Sequence, residues 1–476
     1  MFDRLRLRAR LQEPNRLLIL AAILAAILLS AILGRRATPE LVIIVALIAG
    51  AAPMLSLLTR FPEWGLVALI PVSFLVTWQM GTGTAVSLNL LFLLVPVLVA
   101  IWILRMIVVE KEVRLARSRV NLPALLFIMA TTLALITGSV RWNPSVAGES
   151  FTSQLGGWGL YAFSIALFLL VANQLRDLRW LRVLTWVFLA FAALYVTGKL
   201  VHYFFPSINE IADLLAINSS YSPFWTWLVA LAFGQFLLNR NLNPLCRMLL
   251  GLLVLASFVV AMSEPSRTWI SGWLPSMIAI WAIICLRSWR WGLVVTIIVC
   301  LVILPMLPTI SAEIFNTPEQ SFSTQTRLDM WPNMLQMIQK SPILGLGLSN
   351  YHAYAHLYLV LGYSINFSSH NNYLDIIAQT GLFGFLSFIW LVVEIGWLGW
   401  RLRRRALDGF SRAYVYCALG GLVATLASGM MGDWFLPFTY NIGIPGFRSS
   451  IFVWLFLGGL VAIEQIEKRR EETGAI

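Results

Sequence analysis

The chain has 476 residues, of which 59% are apolar and 12% are charged, and its formal net charge is +12. A water-soluble domain carries about 25% charged residues, so this chain has too few to cover a water-facing surface of its size. These figures exclude a soluble enzyme, a nucleic-acid-binding domain and a secreted disulfide scaffold. They indicate an integral membrane protein.

Apolar runs of about 18 residues, long enough to cross a bilayer, recur along the whole chain. We predict an all-α polytopic membrane protein with about 12–14 transmembrane helices. The fourteen apolar segments lie near residues 17–33, 41–58, 64–80, 87–104, 121–138, 155–173, 180–201, 222–238, 246–262, 268–286, 291–308, 371–400, 413–431 and 449–463.

Lysine and arginine residues orient these segments. With a cytoplasmic N-terminus, all but eight of the 34 basic residues fall on the cytoplasmic side, as the positive-inside rule requires. This distribution explains most of the net charge without a nucleic acid partner, and it predicts that both termini are cytoplasmic. The eight exceptions are Arg35, Arg36, Arg141, Lys199, Arg267, Arg327, Lys340 and Arg448.

A basic residue on the outer side needs a local reason, such as pairing, contact with lipid headgroups or an anionic ligand. Arg267 is held at the membrane boundary, in the few residues between the ninth and tenth segments. Arg327 lies at the start of a predicted helix, where the macrodipole does not favour a cation. Both arginines are therefore candidates for binding an anion.

The predicted cytoplasmic connections argue against a nucleotide site. None exceeds roughly 20 residues, whereas a nucleotide-binding βαβ unit needs about 30. Residues 342–350 contain a Gly-x-Gly, but neither a strand-then-helix context nor a Walker lysine accompanies it. We therefore expect neither an ATP-driven pump nor an enzyme that uses a nucleotide donor.

One long connection, residues 309–370, lies on the predicted outer face, and we expect the chemistry there. Residues 323–339 predict a helix with Pro332 in its first turn or two, where proline is tolerated. His370 precedes the twelfth apolar segment at the outer interface. Since histidine titrates near neutral pH, His370 is a candidate general base or positioned donor.

Two other patterns carry less functional information. His352 and His356 are four residues apart, but no Glu or Cys completes a metal-binding set, so we expect interfacial polar residues and no metal. Carboxylates inside spans would mark a coupled transporter. Glu394 is expected to pair inward, and Glu264 and Asp433 lie at outer boundaries.

Four ordered motifs resemble the C-terminal domain shared by bacterial O-antigen ligases and O-antigen polymerases. They are residues 326–331 (TRLDMW), 341–347 (SPILGLG), 370–374 (HNNYL) and 380–384 (TGLFG). Upstream, residues 266–267 (SR) resemble the Ser-Arg that this family carries at the outer end of a span. Gln379 departs from the pattern, because the family often has glutamate there.

The resemblance implies a multipass, C-type inverting glycosyltransferase in the bacterial cytoplasmic membrane, with its active site on the outer face. The donor would be a glycan on undecaprenyl diphosphate, and the acceptor a sugar hydroxyl. That hydroxyl would lie on lipid A core for a ligase of lipopolysaccharide biosynthesis, and on another lipid-linked repeat for a polymerase. Arg267 and Arg327 would hold the diphosphate and His370 would be the catalytic histidine, with neither metal nor cofactor.

The residue types agree with these implied roles. Arginine suits fork-like recognition of phosphate, and two guanidinium groups stabilise the charge that grows on a leaving diphosphate. Five further residues are candidate substrate contacts by their placement alone. They are Asn371, Tyr351, Lys199, His202 and Arg448.

Three regions follow from this interpretation: N-terminal transmembrane helices over residues 1–262, a catalytic region over 263–390 that includes the outer loop, and C-terminal helices with a cytoplasmic tail over 391–476. The choice between ligase and polymerase stays open, as does transfer to a protein hydroxyl. The alternative from another class is a transporter or flippase of an anionic solute or lipid, with the same arginines as its binding sites.

Overall fold

The computed structural model describes residues 58–84, 86–205, 221–263, 269–316, 318–406 and 409–472. Contacts divide the chain into two units, Met1–Pro62 and Glu63–Ile476. Only the last five residues of the first unit are described. The first predicted apolar segment, almost all of the second, and Arg35, Arg36 and Arg267 lie outside the described residues.

Helices make up most of the described chain, together with two small antiparallel hairpins, β1–β2 and β3–β4. Two π-helical turns, Arg105–Glu110 and Trp269–Trp273, follow α2 and precede α8. The elements in chain order are α1 (Pro62–Leu75), β1 (Gln79–Gly81), β2 (Ser87–Asn89), α2 (Leu90–Leu104), α3 (Asn121–Thr137), α4 (Phe151–Gln174), α5 (Leu178–Phe204), α6 (Ser222–Leu238), α7 (Pro244–Ser263), α8 (Leu274–Arg287), α9 (Trp289–Asn316), α10 (Pro318–Ile338), α11 (Tyr351–Ala355), β3 (Leu359–Val360), β4 (Tyr363–Ser364), α12 (Asn372–Arg405), α13 (Gly409–Ser428) and α14 (Gly443–Glu472).

The helices coincide with the predicted apolar segments. Among the described residues, eight helices are long and apolar enough to cross a membrane, and four more are shorter but apolar. Each of the predicted segments from the third onward matches one of these helices. The predicted all-α polytopic membrane fold is confirmed. Helices are the form expected in lipid, because each backbone polar group finds its partner within the same segment.

Polar side chains fix where several helices begin. The side chains of Asn89, Ser150 and Asp177 accept hydrogen bonds from backbone N–H groups in the first turns of α2, α4 and α5. The first N–H groups of a helix have no partner within the helix, and short polar side chains supply one. These residues therefore set the helix boundaries in otherwise apolar sequence.

The centre of the second unit is α14. The most apolar 18-residue window of α14 is entirely buried, whereas only 6% of the corresponding window of α9 is buried. Phe188 of α5 packs against Phe452 and Phe456 of α14, with ring centroids 4.7 and 5.1 Å apart. Tilted and edge-to-face aromatic pairs of this kind add to the packing. Helix α14 is thus surrounded by other helices, while α9 presents most of its surface outward.

The connection over residues 309–370 differs from its predicted form at its start. Helix α9 continues to Asn316, and α10 begins at Pro318, so Pro332 lies well inside α10 instead of in its first two turns. The predicted position of Pro332 was wrong because Pro318, not Ser323, begins the helix. Proline is suited to a first helical position, where its missing N–H is not needed.

Helix α12 is interrupted at Gly381, whose backbone angles are φ 65 and ψ −170. The interruption separates N–H groups of Leu382 and Phe383 from the carbonyls four residues earlier. These N–H groups instead donate to the carbonyls of Pro342 and Ile343, at 2.8 and 3.1 Å. The loop before α11 therefore replaces helical hydrogen bonds that the kink removes.

The same loop also satisfies the carbonyls on the other side of the kink. Ala378 and Gln379 accept hydrogen bonds from the N–H groups of Leu346 and Gly347, at 2.8 and 3.2 Å. The two backbones are so close that a Cβ on Gly345 would lie 2.4 Å from the Gln379 carbonyl. The SPILGLG and TGLFG motifs are thus two halves of one backbone-to-backbone junction.

We expect Gly381→Ala to destabilise the protein by about 1–3 kcal/mol or more, since a Cβ in a left-handed conformation is strained. That Cβ would also lie 2.2 Å from the Ile343 carbonyl oxygen. The measurement is the thermal denaturation midpoint of purified protein in detergent. The matched control is Gly396→Ala in the same helix, where the nearest atom is 3.8 Å away. If the two variants had the same thermal denaturation midpoint, the backbone junction at Gly381 would not contribute to stability as we expect.

Candidate functional site

His370 lies in the turn immediately before α12 and has a φ of 48, in the left-handed region. Residues other than glycine rarely adopt this conformation, and it costs free energy that the surroundings must offset. The side chain of His370 is half-buried. The turn is therefore a strained position that neighbouring contacts must hold.

A buried hydrogen-bond cluster holds this turn. Ser369 Oγ donates to Asp375 Oδ1 at 2.7 Å and accepts from the Asn371 N–H at 3.0 Å. Tyr351 Oη donates to the same carboxylate oxygen at 2.6 Å and accepts from the Ser369 N–H at 3.3 Å. Asp375 also lies in the first turn of α12, where the macrodipole favours a carboxylate. The residues on both sides of His370 are thus fixed to α12.

Tyr351 joins this cluster to the segment that follows α13. Its ring stacks on Phe438 with centroids 4.5 Å apart. Burial, followed by the nearby Asp375 carboxylate, raises the pKa of Tyr351 well above its ordinary value. Tyr351 therefore remains a protonated donor at neutral pH.

Helix α10 reaches the same turn through Trp331. Its indole Nε1 donates to the Ser369 carbonyl at 3.0 Å. Arg327 lies one helical turn earlier on α10, so it shares the face that Trp331 presents to the turn. Trp331 therefore joins α10 to the His370 turn, one helical turn after Arg327.

His370 is held from its other side by Asn441. Asn441 Nδ2 lies 3.1 Å from His370 Nδ1, and the same amide nitrogen donates to Asp433 Oδ1. Asp433 is fully buried and its other oxygen accepts from the Phe438 N–H at 2.7 Å. A chain of three side chains thus runs from a buried carboxylate to the imidazole.

This chain indicates which ring nitrogen carries the hydrogen. An ionised carboxylate only accepts hydrogen bonds, so Asp433 requires the NH₂ side of the Asn441 amide. The second hydrogen of that NH₂ group then faces His370 Nδ1, which must accept it. In the neutral ring the hydrogen therefore lies on Nε2, which faces Ser368 Oγ at 3.4 Å.

The protonation of Asp433 is sensitive to mild acid. Burial raises the pKa of this carboxyl to about 6, although hydrogen bonds from the Phe438 N–H and Asn441 act in the opposite direction. Above that value Asp433 is ionised and orients Asn441. Below it, the protonated carboxyl can donate as well as accept, and the orientation of Asn441 is no longer imposed.

A second polar cluster lies beside the first. Glu149 Oε1 is 3.1 Å from His352 Nδ1, and the other carboxylate oxygen accepts from Tyr440 Oη, which also lies 2.9 Å from Ser153 Oγ. The rings of His352 and Tyr440 stack with centroids 4.0 Å apart. Burial, then the bond to Glu149, raises the pKa of Tyr440 above its ordinary value. Since Tyr440 precedes Asn441, one segment supports both clusters.

Two of the predicted substrate contacts are engaged in local structure near His370. The Asn371 side chain caps α12 by accepting from the Tyr373 and Leu374 N–H groups. Tyr351 is fully buried and supports the turn as described above. In this structure both residues position His370 through hydrogen bonds.

The remaining predicted contacts lie on other elements. The Arg448 guanidinium of α14 donates twice to the Ser73 carbonyl of α1, at 2.9 and 3.2 Å, and Ser73 Oγ donates back to the Arg448 carbonyl at 2.7 Å. Lys199 lies over the Tyr195 ring of α5 at 5.8 Å, and His202 is in the last turn of that helix. No hydrogen bond described here joins Arg448 or His202 to the His370 turn.

Gln379, the departure from the family pattern, is buried at the α12 junction. Its Oε1 accepts from the Ser349 N–H at 2.7 Å, and its Nε2 donates to Tyr161 Oη at 2.9 Å. The Gln379 amide has both an acceptor oxygen and a donor nitrogen, so it can bond to the Ser349 N–H and to Tyr161 Oη at the same time. These two hydrogen bonds give a glutamine at position 379 a structural role, which accounts for the departure from the family pattern.

A comparison with known protein families matches part of this chain to one family. Residues 251–389 match the family model of O-antigen ligases. The predicted resemblance is confirmed, and the O-antigen ligase region includes Arg327, the α12 junction and His370. The match supports glycosyltransferase activity of the O-antigen ligase or polymerase type, with lipid-linked glycan and acceptor substrates in general. A search of curated proteins finds no match to this chain.

Part of the support for His370 lies outside the O-antigen ligase region. Asp433 and Asn441 follow α13; the sequence predicts only a boundary position for Asp433 and no role for Asn441. The one signal available in the sequence was a carboxylate in an apolar loop between two spans. His370 and Asp433 are more than sixty residues apart in the sequence, so the sequence alone does not indicate that they are connected.

We expect turnover to fall as the pH is lowered through about 6, because protonated Asp433 no longer imposes the orientation of Asn441. The pKa of an aspartate in an unfolded chain is about 3.9, so proton uptake by Asp433 between these values stabilises the fold. A loss of turnover between these pH values would therefore not be caused by unfolding that follows protonation of Asp433. The measurement is the pH dependence of glycan transfer.

Asp433→Asn should lower turnover by about 10–100-fold, as loss of a residue that orients an active group typically does, and should remove the dependence near pH 6. The control is Asp329→Asn, an exposed carboxylate on α10, which should keep that dependence. An unchanged pH profile in Asp433→Asn would show that another group causes it.

Proposed function

We propose that the chain transfers a glycan from undecaprenyl diphosphate to a sugar hydroxyl, with inversion at the anomeric carbon and without a metal. The observation that supports this most directly is the hydrogen bond from Trp331, one helical turn after Arg327, to the Ser369 carbonyl beside His370, within the O-antigen ligase region. The reaction would occur at the outer face of the bacterial cytoplasmic membrane, and both termini would be cytoplasmic. The acceptor would be lipid A core for a ligase, or another lipid-linked repeat for a polymerase.

In this proposal the arginines bind the donor. Arg327 would contact the diphosphate from α10, and Arg267, which lies outside the described residues, would contact it from the connection before α8. Guanidinium groups bind phosphate oxygens through paired hydrogen bonds. They would also stabilise the charge that develops on the diphosphate as its bond to the sugar breaks.

His370 would act as a positioned hydrogen-bond donor. Since Asn441 donates to Nδ1, the Nε2–H, which faces Ser368 Oγ in this structure, is the hydrogen that His370 would share with a substrate oxygen. In the displacement, the acceptor oxygen forms the new bond to the anomeric carbon while the bond to the diphosphate oxygen breaks. The hydroxyl proton would leave to a phosphate oxygen, and His370 would hold the reacting oxygens in line.

The surroundings of Glu394 favour this reaction over coupled transport. A free carboxylate within a span would suggest an ion- or proton-coupled carrier. Glu394 Oε1 instead accepts from Arg119 at 3.0 Å and from the Trp390 indole at 3.3 Å. These bonds give Glu394 a structural role, which weakens the coupled-transport alternative.

Purified protein with undecaprenyl diphosphate-linked glycan, first alone and then with lipid A core, tests the proposal. A ladder of longer lipid-linked glycan without acceptor indicates a polymerase, and a single acceptor-dependent shift indicates a ligase. We expect His370→Ala to lose roughly 10²–10³-fold in turnover, as removal of one positioned hydrogen-bond donor does, while still binding donor. Arg327→Ala and Arg267→Ala should weaken donor binding as well as turnover.

Two neutralising variants in the same outer segment serve as controls. His356→Ala removes an imidazole that lies outside the His370 cluster, and Lys340→Ala removes an exposed charge just after α10. Both should transfer glycan at near the wild-type rate. If wild type made neither product from a donor shown to bind, transfer would be rejected in favour of transport.

A further inference from the structure

A basic cavity opens at the end of the helix bundle opposite to His370. It has a volume of about 490 Å³ and lies where α6 and α8 end and α13 begins. His370 precedes α12, whereas this cavity lies near the level at which α12 ends. The residues that line it are Leu237, Leu238, Arg240, Asn241, Arg287, Gly409, Arg412 and Tyr416.

Three arginines from three separate elements converge on this cavity: Arg240 follows α6, Arg287 ends α8, and Arg412 lies in the first turn of α13. All three are exposed. Within the described part of the chain, none of them forms a hydrogen bond or ion pair, and no acidic residue lines the cavity. Three like charges around one cavity repel each other, so an anion there would stabilise the arrangement.

An apolar groove adjoins the basic cavity. It also has a volume of about 490 Å³ and lies among α6, α8 and α9. Leu237 and Arg287 line both spaces, so the two lie side by side. The groove is otherwise formed by Phe233, Ile284, Ser288, Trp291 and Val295. Because α9 presents most of its surface outward, the groove opens toward the surrounding lipid.

A cationic cavity beside an apolar groove matches the two ends of a phospholipid. Arginine binds phosphate oxygens through fork-shaped pairs of hydrogen bonds, and an acyl chain gains by covering apolar side chains. Basic pockets between transmembrane helices on the cytoplasmic side are a known form of headgroup site. The positive-inside rule accounts for arginines at this end, but it does not account for their convergence on one cavity.

We propose that this cavity and groove bind one anionic phospholipid of the cytoplasmic leaflet. Its phosphate would contact Arg240, Arg287 and Arg412, and one acyl chain would lie along α9 between Trp291 and Val295. Such a lipid would add a contact shared by α6, α8 and α13 at the end where the three arginines lie. The site is separate from the glycan transfer site and needs neither donor nor acceptor.

The test uses full-length protein that has been delipidated in detergent, and native mass spectrometry to count bound lipid. Phosphatidylglycerol and phosphatidylcholine with the same acyl chains are titrated separately. We expect phosphatidylglycerol to bind about tenfold or more tightly than phosphatidylcholine. The combined variant Arg240→Gln, Arg287→Gln and Arg412→Gln should lose this preference.

A matched variant removes the same amount of charge elsewhere at this end: Arg179→Gln, Arg404→Gln and Arg405→Gln change three exposed arginines that do not line the cavity. It should keep the preference for phosphatidylglycerol. If both triple variants lost the preference for phosphatidylglycerol equally, general surface charge would explain that preference and the proposal would be overturned. Equal binding of the two lipids by wild type would also overturn it.

The groove is tested independently, in case the triple arginine variant folds poorly. Val295→Phe fills the groove and should weaken phosphatidylglycerol binding several-fold, whereas Leu293→Phe, on the exposed side of α9, should not. Unchanged binding in Val295→Phe would exclude the acyl chain from the groove. Displacement of the lipid by inorganic phosphate at millimolar concentration would assign the cavity to a free anion and overturn the lipid proposal.

Discussion

The site around His370 depends on the need to satisfy backbone polar groups where α12 is broken inside an apolar environment. The conformation of Gly381 removes two helical hydrogen bonds, and an unpaired N–H or carbonyl group in lipid costs several kcal/mol. The loop over residues 342–347 supplies four hydrogen bonds in their place. This requirement fixes the loop against α12, and with it the short helix that carries Tyr351 and His352.

The catalytic histidine proposed here is positioned by contacts that converge from several parts of the chain. Its turn is tied to α12 through Asp375, to α10 through Trp331, and to the segment after α13 through Asn441. Together these contacts offset the strain of the left-handed conformation at His370. They also explain why a single buried carboxylate, Asp433, can influence the imidazole without contacting it.

The sequence predicted the helices well, because hydropathy alone decides which segments prefer lipid. It placed Pro332 wrongly, because the start of α10 depends on Pro318 and on packing that hydropathy does not report. The family motifs identified Arg327 and His370, since both lie within one ordered stretch. The connection from His370 to Asn441 escaped prediction, because it arises only when the chain returns to the start of α12 after α13.

The dependence of His370 on residues beyond the matched stretch has a consequence for protein engineering. A chimaera joined at residues 251 and 389 would carry Arg327 and His370 into a new host, together with the α12 junction. It would leave Asp433 and Asn441 behind, so the imidazole would meet whatever the host places after its own equivalent of α13. Exchange of substrate specificity between relatives should therefore place the second crossover after α14, so that the returning segment travels with the histidine that it orients.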